Sequence, residues 1–152
     1  PGMATSAIWN TVLLACFTIL AMLLETIPGV GPILALTILA EIGDVGRFHS
    51  AKHLSSHAGL VPSTRQSGML ALHGHITKQG SAWLRWALVE AAIHAAMRPG
   101  PLKQRYLKLS KRKGAKIARV AVARKLATYI YHMLEEEKDF ASVISYNKGD
   151  LG

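Results

Sequence analysis

From Ala7 to Leu24 the chain reads AIWNTVLLACFTILAMLL, apolar apart from Asn10, Thr11 and Thr18, and no charged side chain appears before Glu25. At helical rise eighteen residues cover about 27 Å, close to the roughly 30 Å of a bilayer core, so this run can cross a membrane. No Lys or Arg precedes Arg47. The positive leader of a signal peptide is therefore missing, and no flanking charge fixes an orientation. The favoured reading is a helix buried in the protein or in an oligomer interface. Cys16 is the single cysteine and lies inside this run, so no intrachain disulfide forms, which fits a reducing compartment. Pro1 and Gly2, ahead of Met3, are set aside as an appended remnant.

The next segment, Thr26-Ile27-Pro28-Gly29-Val30-Gly31-Pro32, has the form of a helix-hairpin-helix turn. Two glycines flank one apolar residue because the chain must reverse through positive φ while Val30 anchors it. Pro32 suits the first position of a helix running to about Ile42, stopped by Gly43. In DNA-binding hairpins of this kind the amides of Gly29, Gly31 and the following helical turn face a phosphate. Ile33 and Leu34 stand where such hairpins often place Lys or a small polar residue, so a purely structural hairpin is the alternative.

A length of 152 residues holds one domain and leaves no room for a second catalytic one. Charge is distributed unevenly. Residues 1–64 carry two basic and three acidic groups, 65–125 carry fourteen and one, and 126–152 carry two and five, giving nets of −1, +13 and −3. A block of that kind attracts polyanions, nucleic acid first and anionic lipid second.

Ser50 to Ala58 is predicted as a short helix with Ser50 as N-cap, Leu54 and Ala58 inward, and Gly59 as its stop. His49, His53 and His57 recur every four residues, and His73 and His75 have His-x-His spacing. No third ligand accompanies either set, so no metal site is assigned. Leu60 to Thr77 reads as an extended hairpin or loop. Ser81 caps a helix to about Met97, nearly apolar all round and hence central, with Trp83, Ala87, Glu90, Ala91 and His94 on one side and Leu84, Leu88, Ala92 and Ala95 on the other; Arg85 is the exception, either a partner to Glu90 or a phosphate contact. Pro99-Gly100-Pro101 then breaks the chain. A helix from Leu102 to Lys113 follows, and a last one from Ala115 to about Glu137 is expected to bury Ile117, Val120, Ala121, Ile130 and Leu134. Lys103, Lys108, Lys111, Arg112 and Lys113, followed by Lys116, Arg119, Arg124 and Lys125 on the next helix, form a basic corner around Gly114 suited to a nucleic-acid backbone. Residues 138–152 read as a polar tail.

Ser67 precedes Gly68, follows Arg65 by two residues, and is followed by Lys78 and Arg85. This sets a hydroxyl nucleophile among groups that hold phosphate. A polar turn is the alternative for the same residues.

LETIPGVGPILALTILAEIGDVGRF, then AGLVPSTRQSG, then HITKQGSAWLRWALVEAA, resembles the C-terminal domain of the insertion-sequence one-ten family of transposases, relatives of the pilin-gene invertases. The resemblance runs from about Leu24 to Glu137. It implies a mainly α fold, a small helical domain with a helix-hairpin-helix turn and a loop or β-hairpin insertion carrying the serine. Residues 1–23 lie outside it as an apolar helix, since the family usually has a charged amphipathic segment there.

The resemblance also implies that Ser67, rather than Ser63 or Thr64, becomes joined to DNA, and that Arg65, Lys78 and Arg85 contact phosphate. A separate RuvC-like domain would supply four acidic ligands for Mg2+, so this chain binds no cofactor alone. Its partners would be DNA, a structured guide RNA, that catalytic domain and further copies of itself, in the bacterial cytoplasm at the nucleoid. Two other classes fit the residues: a non-catalytic nucleic-acid-binding helix-hairpin-helix module, and a small membrane-anchored protein with a basic domain.

Overall fold

The computed structural model describes residues 2–67 and 70–149, with the backbone alone at 2, 3, 63–67, 70–75 and 146–149. The fold is mainly α. In chain order the elements are α1 (Gly2–Glu25), α2 (Pro32–Ile42), a 3-10 turn (Val45–Arg47), α3 (Ala51–His57), β1 (Pro62–Ser67), β2 (Leu70–Ile76), α4 (Ala82–Met97), α5 (Pro101–Lys113), α6 (Ala115–Glu136) and α7 (Phe140–Gly149).

The punctuation follows local chemistry. Pro32 and Pro101 open α2 and α5 at positions where a missing N–H costs nothing. The Ser50 and Ser81 hydroxyls accept the amides of His53 and Leu84, capping α3 and α4. Glycines at positive φ end α2 and α5, at Gly43 and Gly114. Arg47 covers the exposed carbonyls at the end of α2, its Nε donating to Ile42 O (2.9 Å) and its Nη2 to Glu41 O (3.0 Å).

The core centres on α6, which touches α1, α3, α4, α5 and α7. Leu126, Ile130 and Met133 are fully buried, each contributing about 1.5–3 kcal/mol of apolar transfer. Facing them, α4 buries Leu84, Ala87, Leu88, Ala91, Ala92 and Ala95, a stripe whose small side chains let the helices approach closely.

Four expectations are corrected. Trp83 is 67% exposed and lies edge-on to Trp86 at 6.2 Å, because alanines and leucines, and not the tryptophans, form the α4 contact stripe. Ile117 is 52% exposed while Ala118 is buried, a one-residue difference that rotates a helical side chain by about 100°. Residues 140–149 form α7 in place of a polar tail: Phe140 and Val143 are buried, the Phe140 amide donates to Thr26 Oγ1 (3.0 Å), and the Phe140 ring meets Tyr129 edge-on at 5.7 Å.

The fourth concerns α1. Only its last turns join the core, through Leu20, Ala21 and Leu24. Ile8, Trp9, Leu13, Leu14, Ile19 and Met22 are exposed, as is Cys16, so this helix is not buried within the chain. Its hydroxyls turn inward on their own helix, Thr11 donating to Ala7 O (2.9 Å) and Thr18 to Leu14 O (2.8 Å).

Candidate functional site

Ser67 ends β1, which pairs antiparallel with β2; Arg65 stands opposite Leu72 and Ser67 opposite Leu70, with an irregularity between Pro62 and Thr64. Gly68 lies outside the described residues, as do the side chains of Arg65 and Ser67.

The foot of this hairpin is tightly built. Thr77 N–H donates to Val61 O (3.1 Å), Lys78 N–H to Gly59 O (3.2 Å) and Ser81 N–H to His57 O (2.9 Å). Gly59 (φ +69°) and Gly80 (φ +102°) both occupy the left-handed region in close contact. A Cβ on Gly59 would stand 2.5 Å from Gln79 O, and one on Gly80 would run into the His57 carbonyl. Half-buried Arg85 reaches from α4 to Ala58 O (Nη1, 3.3 Å), bracing the same crossing. Lys78 also takes a positive φ of 54°, unusual for a non-glycine residue, and its side chain is exposed. The structure thus brings Lys78 and Arg85 together at the hairpin foot. Ser67 is five residues further along β1, about 17 Å at strand rise. Arg85 makes no ion pair with Glu90, which stands 3.9 Å from His94 instead.

The turn from α1 to α2 uses its two glycines differently. Gly29 (φ +87°) lies against α4, where a Cβ would come within 2.7 Å of His94 Cβ. Gly31 has open space around it, and its carbonyl accepts the Ala35 amide at the start of α2. Val30 and Ile27 are buried beneath the turn, while Ile33 is exposed beside it.

Lys111, Arg112 and Lys113 occupy the last turn of α5, where cations complement the helix dipole. Lys116 and Arg119 follow on the first turns of α6, and all five are exposed. Among the described residues none of the five has an acidic partner within ion-pair distance. Arg124 and Lys125 do not belong to this ridge: nine or ten residues into α6 they stand about 14 Å from its start. They line a separate cleft with Arg105 of α5 and Lys52 of α3. Sequence reasoning left Lys52 and Arg105 unassigned, because cations far apart in the chain carry no shared local pattern.

His49, His53 and His57 are engaged with aromatic rings, while the side chains of His73 and His75 lie outside the described residues. His49 stacks on His53 at 5.6 Å, and Phe48 meets His53 and His57 edge-on at 5.6 and 5.3 Å. Burial lowers the His57 pKa, helped by the Arg47 charge, with Glu41 pulling the other way. Among the described residues no three His, Cys, Asp or Glu side chains gather as metal ligands.

Residues 21–108 match the family described as Transposase IS116/IS110/IS902. The chain belongs to this transposase family. Among relatives, the chain is 34% identical over 124 residues to an uncharacterized 44.8 kDa protein of insertion element IS116 from Streptomyces clavuligerus, covering 79% of this chain and 30% of that one. It is 38% identical over 124 residues to the pilin gene-inverting protein of Moraxella bovis (79% and 38% covered). With the transposase for insertion sequence element IS1111A of Coxiella burnetii it shares 34% over 120 residues (76% and 33%). The chain spans about a third of the length of these curated relatives.

The transposase-family segment begins on the last turn of α1 and ends within α5. It contains Gly29, Gly31, Arg65, Ser67, Lys78 and Arg85. The exposed face of α1 from Ile8 to Ile19 and the ridge from Lys111 to Arg119 lie outside it.

Proposed function

We propose that this chain is the DNA-binding, serine-bearing part of a transposase that acts in DNA transposition or recombination beside a RuvC-like domain with four acidic metal ligands. The family match over residues 21–108 carries this reading. Relatives named as a transposase and a pilin gene-inverting protein support DNA as the partner. Residues 24–137 form the family's domain in this reading, and a structured guide RNA directs it at the nucleoid.

The proposed chemistry is transesterification. Ser67 Oγ forms a bond to a DNA phosphorus as the bridging P–O bond breaks; the hydroxyl proton goes to a base, and the departing strand oxygen takes one up. Arg65 offers positive charge to the phosphorane; Lys78, at the hairpin foot, meets a phosphate further along the strand, and Arg85 positions the hairpin from the same foot. In this reading the Mg2+ would be held by the four acidic ligands of the RuvC-like domain. The turn acts as a helix-hairpin-helix in which Gly31 and the first amides of α2 meet a phosphate while Gly29 fits the turn against α4. The exposed ridge from Lys111 to Arg119 holds nucleic-acid backbone.

The test combines this chain with the RuvC-like domain, Mg2+, guide RNA and DNA, and looks for a protein-DNA adduct. The adduct forms with the wild type and disappears in Ser67→Ala. Its retention in Ser67→Ala sinks the nucleophile assignment, and its absence under every complementation favours a non-catalytic binding module.

A second reading rests on α1. Residues 4–25 are long and apolar enough to cross a membrane, and only 11% of the most apolar window is buried. Burial between copies and insertion in a bilayer both remove this surface from water. Flotation with neutral vesicles supports insertion, whereas a salt-resistant oligomer supports the interface.

A further inference from the structure

A cleft of about 640 Å³ opens between α3, the foot of β1, α5 and α6. Lys52 and Arg105 stand exposed at its rim; Arg124 and Lys125 lie half-buried further in. Among the described residues no acidic side chain lines it, and neither does an aromatic one. Lys125 Nζ lies 5.0 Å from the Tyr129 ring centroid, a cation–π contact that restrains its ammonium. Four cations converging without a counter-charge repel one another, and a bound anion relieves that repulsion. Burial first and the Arg105 charge second lower the pKa values of both Arg124 and Lys125, consistent with a cationic cluster.

We propose that this cleft binds the phosphodiester backbone of an unpaired nucleic-acid strand, independently of base sequence, as a seat separate from the exposed ridge around Gly114. The proposal rests on the nucleic-acid reading above and adds which strand form is held and where. A duplex presents its phosphates on a convex surface and reaches the rim cations only. A single strand can enter the concavity and meet Arg124 and Lys125. With no aromatic ring among the described lining residues, base stacking has no platform there and recognition stays with the backbone. Val61 and Pro62 are at once the wall of the cleft and the foot of the hairpin that leads to Ser67. A strand seated there lies at the base of the element that carries the proposed nucleophile.

Affinities of the full chain for a short oligothymidylate, the matching oligouridylate and a duplex of equal length, measured over a range of salt, test this. Both Arg124→Gln/Lys125→Gln and Lys52→Gln/Arg105→Gln are compared with wild type, with thermal melting as a fold check; the second pair is exposed and survives if the first unfolds. Each pair is expected to weaken both single strands roughly 25-fold at about 0.1 M salt and to make the salt slope shallower by about 1.4, at about 0.7 per phosphate lost. Duplex affinity should fall far less for the inner pair, and the two single strands should bind within about tenfold of each other.

Single-strand binding unchanged by either pair in folded variants, a duplex loss equal to the single-strand loss for the inner pair, or a strong preference between the two single strands overturns the proposal while leaving the nucleic-acid reading standing. A wild type that binds neither form overturns both.

Discussion

Ser81 Oγ donates to Glu41 Oε2 at 2.5 Å across forty residues of sequence while accepting the Leu84 amide at 3.1 Å. One hydroxyl therefore caps α4 and ties its start to α2. Ser81→Ala removes a cap worth about 1 kcal/mol and a charge-assisted hydrogen bond worth about 1.5–3 kcal/mol. A loss of roughly 2–4 kcal/mol is expected in urea unfolding. A loss of only a few tenths would show that the Glu41 contact contributes nothing in solution.

The glycines separate backbone strain from collision. Gly114 has φ +89° and ψ 162° with nothing near its would-be Cβ, so Gly114→Ala should cost about 1–3 kcal/mol from this positive-φ conformation alone. Gly80 adds a collision with the His57 carbonyl to a φ of +102°, so Gly80→Ala should cost clearly more and loosen the hairpin foot. Amide exchange at Lys78 and Ser81, whose N–H groups donate across this crossing, reads the local effect. Equal losses in the two variants would contradict the packing account.

His57 couples the same crossing to pH. Its folded pKa lies below the ordinary value of 6.5, first through burial and then through Arg47. The unfolded chain therefore takes up a proton more readily. The sign follows: the neutral ring's contribution is complete above about pH 6.5 and is lost as pH falls toward the folded pKa. Imidazole resonances should show His57 titrating below the usual histidine range. Wild-type stability should fall more than that of His57→Gln on acidification through that window, and a parallel fall in both proteins refutes the coupling.

Phe140 tests the docking of α7. It is buried against Tyr129 and its amide is held by Thr26 Oγ1, at the end of α1. Phe140→Ala should destabilise the protein by about 3 kcal/mol or somewhat less, given the terminal position. Limited proteolysis should then cut between Glu137 and Phe140. An unchanged melting temperature would mean that α7 adds no stability.

Helix limits were legible because their signals are local: Ser50, Ser81, Pro32, Pro101, Gly43 and Gly114 act within one turn of where they stand. The hairpin was harder to read, since its strands alternate poorly and are ordered by the crossing of Ala58–Gly59 with Lys78–Gly80, where two separated glycines meet backbone. Helix α7 was missed because residues 138–152 are rich in polar groups, and among the described side chains only Phe140 and Val143 are buried, against surfaces built from distant segments.

The amino-acid sequence by itself determined the mainly helical class, the turn at Gly29 and Gly31, the family and the block of positive charge, all of which depend on residue type and short spacing. Tertiary structure alone decided that α1 keeps its apolar side exposed, that Arg85 braces the hairpin foot, and that Lys52, Arg105, Arg124 and Lys125 share one cleft. Those outcomes depend on which surfaces meet, and residues distant in sequence become neighbours only when α6 gathers the other helices around it.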